Sequence, residues 1–185
     1  MYNLSERVFL QKQSLFISAG HSEAGPGATG NGYSEADLVL EFRDRVAREL
    51  HRQGAVFYQD GSKGRNLPLR EVADMASKMD VSVEFHFNAF SSASATGSEA
   101  LSSHRDYELA SALSETVSNV LGIPNRGAKP EDSGQHSRLA FVQAGGVILE
   151  IGFLTNPNDL NSFLDQQDAL ASAVAETLLK EVRFG

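Results

Sequence analysis

The sequence predicts an α/β fold in one domain: a twisted, mostly parallel sheet of about six strands, flanked by helices on both faces. Three observations predict it. Short β-prone runs and helical runs alternate in the order strand, helix, strand, helix, strand. The crossovers between strands are of helical length, as parallel pairing requires. With 185 residues, 41% of them hydrophobic, the chain can bury one core but has no room for a second catalytic domain.

Residues 1–13 are polar and read as a lead-in to a domain spanning 14–185. Ser14-Leu15-Phe16-Ile17-Ser18 is the first strand, and it delivers His21 to the edge of the sheet. Residues 22–33 are rich in glycine around Pro26 and form a loop. Ser34 then caps a helix over about 35–53, with Asp37 three residues on. Val39, Phe42, Val46 and Leu50 make its apolar stripe, while Glu41 with Arg45 and Asp44 with Arg48 pair on the outer face. Residues 55–58 are a second strand and 60–66 a polar loop; Pro68 opens a second helix to about Met79.

In the third strand, 81–87, the side chains alternate. Val81, Val83, Phe85 and Phe87 share one face, and Ser82, Glu84 and His86 the other. A short strand over 97–101 and a third helix over about 106–121 follow. Residues 122–138 read as a polar, mobile rim, and 139–142 and 147–151 as the last strands. Asn156-Pro157-Asn158-Asp159 caps a short helix, and a final helix covers about 167–183.

Composition excludes several classes of function. A formal net charge of −8 argues against nucleic acid and anionic membranes as partners, because both demand a positive surface. The absence of cysteine removes disulfides, thiolate metal sites and cysteine nucleophiles, so any metal has to be held by His and carboxylate. No apolar run approaches the ~20 residues of a membrane span. The first residues lack the apolar segment of a signal peptide, so the expected location on synthesis is the cytoplasm.

In parallel sheets ligands collect beyond the carboxyl ends of the strands, where His21, His86 and Glu150 would lie. Glu150 interrupts the buried-looking run Val147-Ile148-Leu149-Glu150-Ile151, and an unpaired buried carboxylate costs several kcal/mol. A nearby metal ion, a retained proton or a salt bridge to a basic residue would each compensate. His21 and His86 with Glu35, at the head of the first helix, make a His2Glu set that leaves a fourth tetrahedral position for water, as catalytic zinc requires. Taken singly, Glu35 is also an ordinary first-turn acid favoured by the helix dipole, and each histidine an ordinary loop residue. Glu84 either orients His86 or is solvated; His51 reads as a surface residue, and His104 and His136 as exposed loop histidines, either of which could reach substrate.

One motif points elsewhere. Gly25-Pro26-Gly27-Ala28-Thr29-Gly30 matches G-x-G-x-x-G, with Asp60 at the end of the second strand in the place of a ribose-binding acid. Asn31-Gly32-Tyr33 delays the helix past the motif, so no helix N-terminus sits where a pyrophosphate needs it. The match is discounted.

Gly20-His21, the glycine-rich loop, Glu35 opening a helix, Phe85-His86-Phe87-Asn88-Ala89, and Leu149-Glu150-Ile151-Gly152-Phe153-Leu154-Thr155-Asn156 together resemble the zinc-dependent N-acetylmuramoyl-L-alanine amidases of the amidase-3 type. The resemblance runs over about 14–182. It implies that His21, Glu35 and His86 hold Zn2+ and that Glu150 is the catalytic glutamate. It further implies peptidoglycan as substrate, cut at the amide between N-acetylmuramic acid and L-alanine. Two departures stand out: the usual Asp-Pro-Gly-His-Gly-Gly reads Ser18-Ala19-Gly20-His21-Ser22-Glu23, and a serine common two residues before the second histidine is Glu84. The short 88–97 segment shows no surplus for the helical insertion of partner-regulated members, which suggests an unregulated enzyme; a lone catalytic domain without signal peptide or wall-binding repeats resembles a phage or prophage endolysin, expected as a monomer. The rival readings are a zinc carboxypeptidase-like peptidase, which would want His-x-x-Glu, and a non-catalytic wall- or nucleotide-binding module.

Overall fold

A computed structural model describes residues 14–22, 25–61, 66–133 and 138–184. The elements are β1 (Leu15–Ala19), β2 (Thr29–Gly30), β3 (Tyr33–Ser34), α1 (Glu35–Arg52), β4 (Phe57–Gln59), α2 (Leu69–Ala76), β5 (Val81–Asn88), β6 (Ser98–Ser102), α3 (Tyr107–Leu121), β7 (Asn125–Pro130), α4 (Ala140–Gln143), β8 (Val147–Phe153) and α5 (Pro157–Phe184). Six strands form one sheet in the order β4-β1-β5-β8-β6-β7, and β2 and β3 form a small hairpin. The first four strands of that order are mutually parallel; β6 runs antiparallel to β8, and β7 parallel to β6.

Alternation along the strands separates two cores. Leu15, Ile17, Val83, Phe85, Leu149 and Ile151 face the larger one, closed by Phe42 and Val46 of α1, Leu113 and Val117 of α3 and Phe163 and Val174 of α5. Phe42, Phe85, Phe87 and Phe163 meet there edge to face, a favoured arrangement of aromatic rings. On the opposite face Phe16, Leu101 and Ile148 pack under Val72 and Ala76 of α2 and Phe141 and Val142 of α4. These two helices are short, and that face is apolar only towards one end of the strands. Towards the other end it continues as Ser18, Glu84, His86, Glu150 and Glu99. The sheet therefore has helices on both faces, and it presents a polar row at the carboxyl ends of β1, β5 and β8.

Several local readings are borne out. The Ser34 hydroxyl accepts the Asp37 amide at 3.3 Å, capping α1. The Asn156 side chain accepts the Asn158 amide at 2.8 Å, and Gln166, with φ −121°, divides α5 where the short and final helices were expected to part. Three readings are corrected. The polar stretch 122–138 holds β7, an edge strand whose Asn-Arg-Gly-Ala-Lys-Pro sequence carries no apolar alternation because only one neighbour pairs with it. Residues 139–142 are not a strand. Ala140–Gln143 turn into α4 instead, which buries Phe141 against Phe16 with ring centroids 6.4 Å apart. The glycine-rich loop contains the β2–β3 hairpin. The lead-in 1–13 and His136 lie outside the described residues.

Candidate metal centre

The centre begins with a backbone turn. β1 ends at Ala19, and His21 adopts φ 63°, a left-handed conformation that costs a residue with a Cβ of order 1–3 kcal/mol. The surroundings hold it there. The Gly20 amide donates to the Phe85 carbonyl at 2.9 Å, and the Asn66 side-chain amide donates to the carbonyls of Ala19 at 3.1 Å and His21 at 2.6 Å. Asn66 is fixed in turn by Arg43, whose fully buried guanidinium donates to Asn66 Oδ1 at 3.2 Å and Asp60 Oδ1 at 2.9 Å. Asp60 also accepts the Ala19 amide at 3.2 Å. So Asp60 is a clamp on the strand exit rather than a ribose ligand. Burial raises its pKa, only partly countered by Arg43.

His21, Glu35 and His86 come together at this turn. One potential ligand atom from each lies within 4.8 Å of the others, although the residues are far apart in sequence. Glu35, 3% exposed, places Oε2 3.3 Å from His21 Nε2 and Oε1 3.0 Å from His86 Nδ1. Its oxygens also accept the amides of Ala28 at 2.8 Å and Phe87 at 2.9 Å, which anchors the carboxylate between α1, the glycine-rich loop and β5. Burial pushes the Glu35 carboxyl up, but the two histidines and the Ala28 amide outweigh it and hold the pKa far below the usual range. His86 has its other nitrogen, Nε2, 2.8 Å from Glu84 Oε2. Burial alone would lower the His86 pKa; the carboxylates of Glu35 and Glu84 raise it well above the ordinary value.

Two glycines are required by closeness. A Cβ on Gly20 would stand 2.2 Å from His86 Cε1, and one on Gly27, at φ 70°, 2.5 Å from Glu35 Oε2 and 2.7 Å from His21. The loop that matched a dinucleotide motif thus folds over the His21–Glu35 pair.

Glu150 stands opposite His86 in the β5–β8 register, on the same face of the sheet. Its Oε2 is buried without a hydrogen-bond partner. Burial raises its pKa from 4.5 to about 7, with the charge on His86 opposing and those on Glu35 and Glu99 assisting. No salt bridge compensates Glu150 among the described residues, which removes one of the three readings open to it from sequence. His51 and His104 are exposed and stand outside the cluster.

The donor set fits a zinc ion: two imidazoles and one carboxylate that is ionised at neutral pH, with His86 held by Glu84 and the Glu35 oxygens held by the amides of Ala28 and Phe87. Beside them the buried Glu150 Oε2 has no hydrogen-bond partner. Sequence reasoning did not find the Arg43–Asp60–Asn66 clamp. The one available signal was an arginine flanking the apolar stripe of α1, which demands a buried acid.

Residues 15–180 match the model of the amidase-3 family, N-acetylmuramoyl-L-alanine amidase. Among curated proteins, the chain is 32% identical over 158 residues to YqiI, an uncharacterized protein of Bacillus subtilis, covering 81% of this chain and 74% of YqiI. It is 27% identical over 154 residues to the N-acetylmuramoyl-L-alanine amidase LytC of the same organism, of which it spans only 30%. A crystal structure from Neisseria meningitidis, provisionally named an N-acetylmuramoyl-L-alanine amidase, superimposes with a TM-score of 0.85 at 36% identity. That match covers 92% of this chain and 96% of the other.

Proposed function

We propose that this chain, which belongs to the amidase-3 family of N-acetylmuramoyl-L-alanine amidases, is a zinc-dependent hydrolase of the amide joining N-acetylmuramic acid to L-alanine in peptidoglycan. The observation that carries the reading is the convergence of His21, Glu35 and His86 beside Glu150, whose Oε2 is buried without a hydrogen-bond partner. His21, Glu35 and His86 are the residues that would hold the ion. When bound, zinc supplies Lewis acidity towards the scissile carbonyl and makes water acidic enough to ionise near neutral pH.

Glu150 takes the proton of the attacking water and passes it to the departing alanine amine. Glu84 holds the outer nitrogen of His86 and fixes which nitrogen faces the metal. The clamp of Arg43, Asp60 and Asn66 holds His21 in place.

A carboxypeptidase reading lacks its His-x-x-Glu pair, and a pure binding module gives no account of an unpaired buried glutamate beside three potential metal ligands. We extend the proposal to cell lysis in the manner of a phage endolysin. The 89–97 connection between β5 and β6 carries no helix, which supports unregulated access to the centre. No helix among the described residues is long and apolar enough to cross a membrane.

Digestion of purified peptidoglycan tests the proposal. The expected products are peptides with a new alanine amino terminus, without new reducing sugar ends, and a chelator stops their release. New reducing ends, or release indifferent to chelation, would overturn it. Addition of the zinc-loaded protein to bacteria with a permeabilised inner membrane tests the lytic role: lysis is expected, and its absence would count against that role.

A further inference from the structure

Beyond Glu150, the polar row of the sheet continues onto β6. Glu99 stands opposite Glu150 in the β6–β8 register and so shares its face. Its Oε1 accepts the Asn88 side-chain amide at 2.9 Å, and its Oε2 accepts both Arg126 Nε and Lys129 Nζ from β7 at 2.5 Å. Burial raises the Glu99 pKa, but Lys129 and Arg126 outweigh it and hold it below the ordinary range. Two cations thus share one carboxylate, and the cluster is net positive in a chain whose formal charge is −8.

The cations keep unused donors. Among the described residues, Arg126 engages only its Nε–H, its Nη groups meet no acceptor, and Lys129 makes no hydrogen bond or ion pair beyond that with Glu99. Both side chains are partly open, 37% and 29% exposed. Arg126 is also held in place: its stem lies against Gly97, and its guanidinium lies 5.2 Å from the centre of the Phe153 ring, a cation–π contact. A preordered guanidinium fork and an ammonium beside it, both with free N–H groups, are a carboxylate receptor.

Position decides which carboxylate. The cationic heads sit over Glu99, one strand from Glu150, or about 5 Å across the sheet. Extended peptide advances roughly 3.5 Å per residue, so an anion bound there belongs one or two residues from the scissile bond. The lactyl carboxyl of the sugar is consumed in the amide being cut, which leaves the peptide side as the source of charge. We propose that Arg126 and Lys129 form a subsite for a carboxylate of the stem peptide, one or two residues beyond the scissile amide. The inference rests on the amidase reading above and adds a specificity to it.

The test uses two muramyl peptides of equal length that differ only in a carboxylate or a carboxamide on the residue after alanine. The zinc-loaded wild-type enzyme is expected to favour the carboxylate by about 10- to 100-fold in kcat/KM, the range for a charge-assisted contact. Arg126→Gln and Lys129→Gln, made singly so that Glu99 keeps a partner, are expected to lose most of that preference, with cleavage of the carboxylate peptide falling far more than that of the carboxamide peptide. A residue that merely supported the fold would slow both peptides equally, and that result would overturn the inference. Equal cleavage of both peptides by the wild type would overturn it and leave the amidase reading standing. Cleavage of neither would overturn both.

Discussion

Glu150 makes a prediction that can be checked without any substrate. In the folded, metal-free chain its carboxyl holds a proton up to about pH 7, whereas in the unfolded chain it ionises near 4.5. Between those values the folded state binds more protons, so stability falls as pH rises and stays reduced above pH 7. Each pH unit of displacement is worth about 1.4 kcal/mol, so the loss attributable to this one side chain is roughly 3 kcal/mol. Glu150→Gln is neutral throughout and cannot show it. Urea unfolding of metal-free wild type and Glu150→Gln at pH 4 and pH 8 isolates the effect, because contributions common to both proteins cancel. The stability difference between them is expected to move by about 3 kcal/mol in favour of Glu150→Gln on going from pH 4 to pH 8. For a chain of this size that is about 6–12 °C in Tm. Zinc, by placing positive charge beside the carboxylate, should shrink the movement. Stability curves that stay parallel within about 0.5 kcal/mol would refute the claim that Glu150 is buried and unpaired.

Two further variants separate the parts of the site. Glu84→Gln weakens the hold on His86 Nε2, and zinc affinity measured by competition with a chromophoric chelator should fall about 10- to 100-fold with the fold intact; unchanged affinity would count against an orienting role for Glu84. Arg43→Met strands Asp60 in the interior and should cost about 3–5 kcal/mol in thermal or urea unfolding, and a loss under about 1 kcal/mol would mean that Asp60 is compensated by other means.

The legible parts of this molecule were those where periodicity and chemistry coincide. The alternation of 81–87 put His86 and Glu84 on one face, and both are found there, flanked by Glu150 across the β5–β8 register. Ser34 and Asn156 announced helix starts because their side chains satisfy amides that a helix leaves unpaired. Less was legible where structure depends on distant partners. β7 has no apolar pattern, since an edge strand is held by backbone pairing to β6 and by the ion pairs of Arg126 and Lys129 with Glu99. Leu139-Ala140-Phe141-Val142 suits a strand or a helix turn equally, and only the space beneath Phe16 decides. The clamp of Arg43, Asp60 and Asn66 joins a helix, a strand end and a loop, and no local spacing links them. Glu84 was seen, but its choice between solvent and His86 was settled only by the 2.8 Å contact.

The most direct test of the central claim is a crystal structure of the protein loaded with zinc. The account predicts one ion per chain held by His21, Glu35 and His86 at about 2.0–2.2 Å, with the fourth position facing Glu150. An ion bound elsewhere, or one that leaves any of these three side chains turned away, would contradict it.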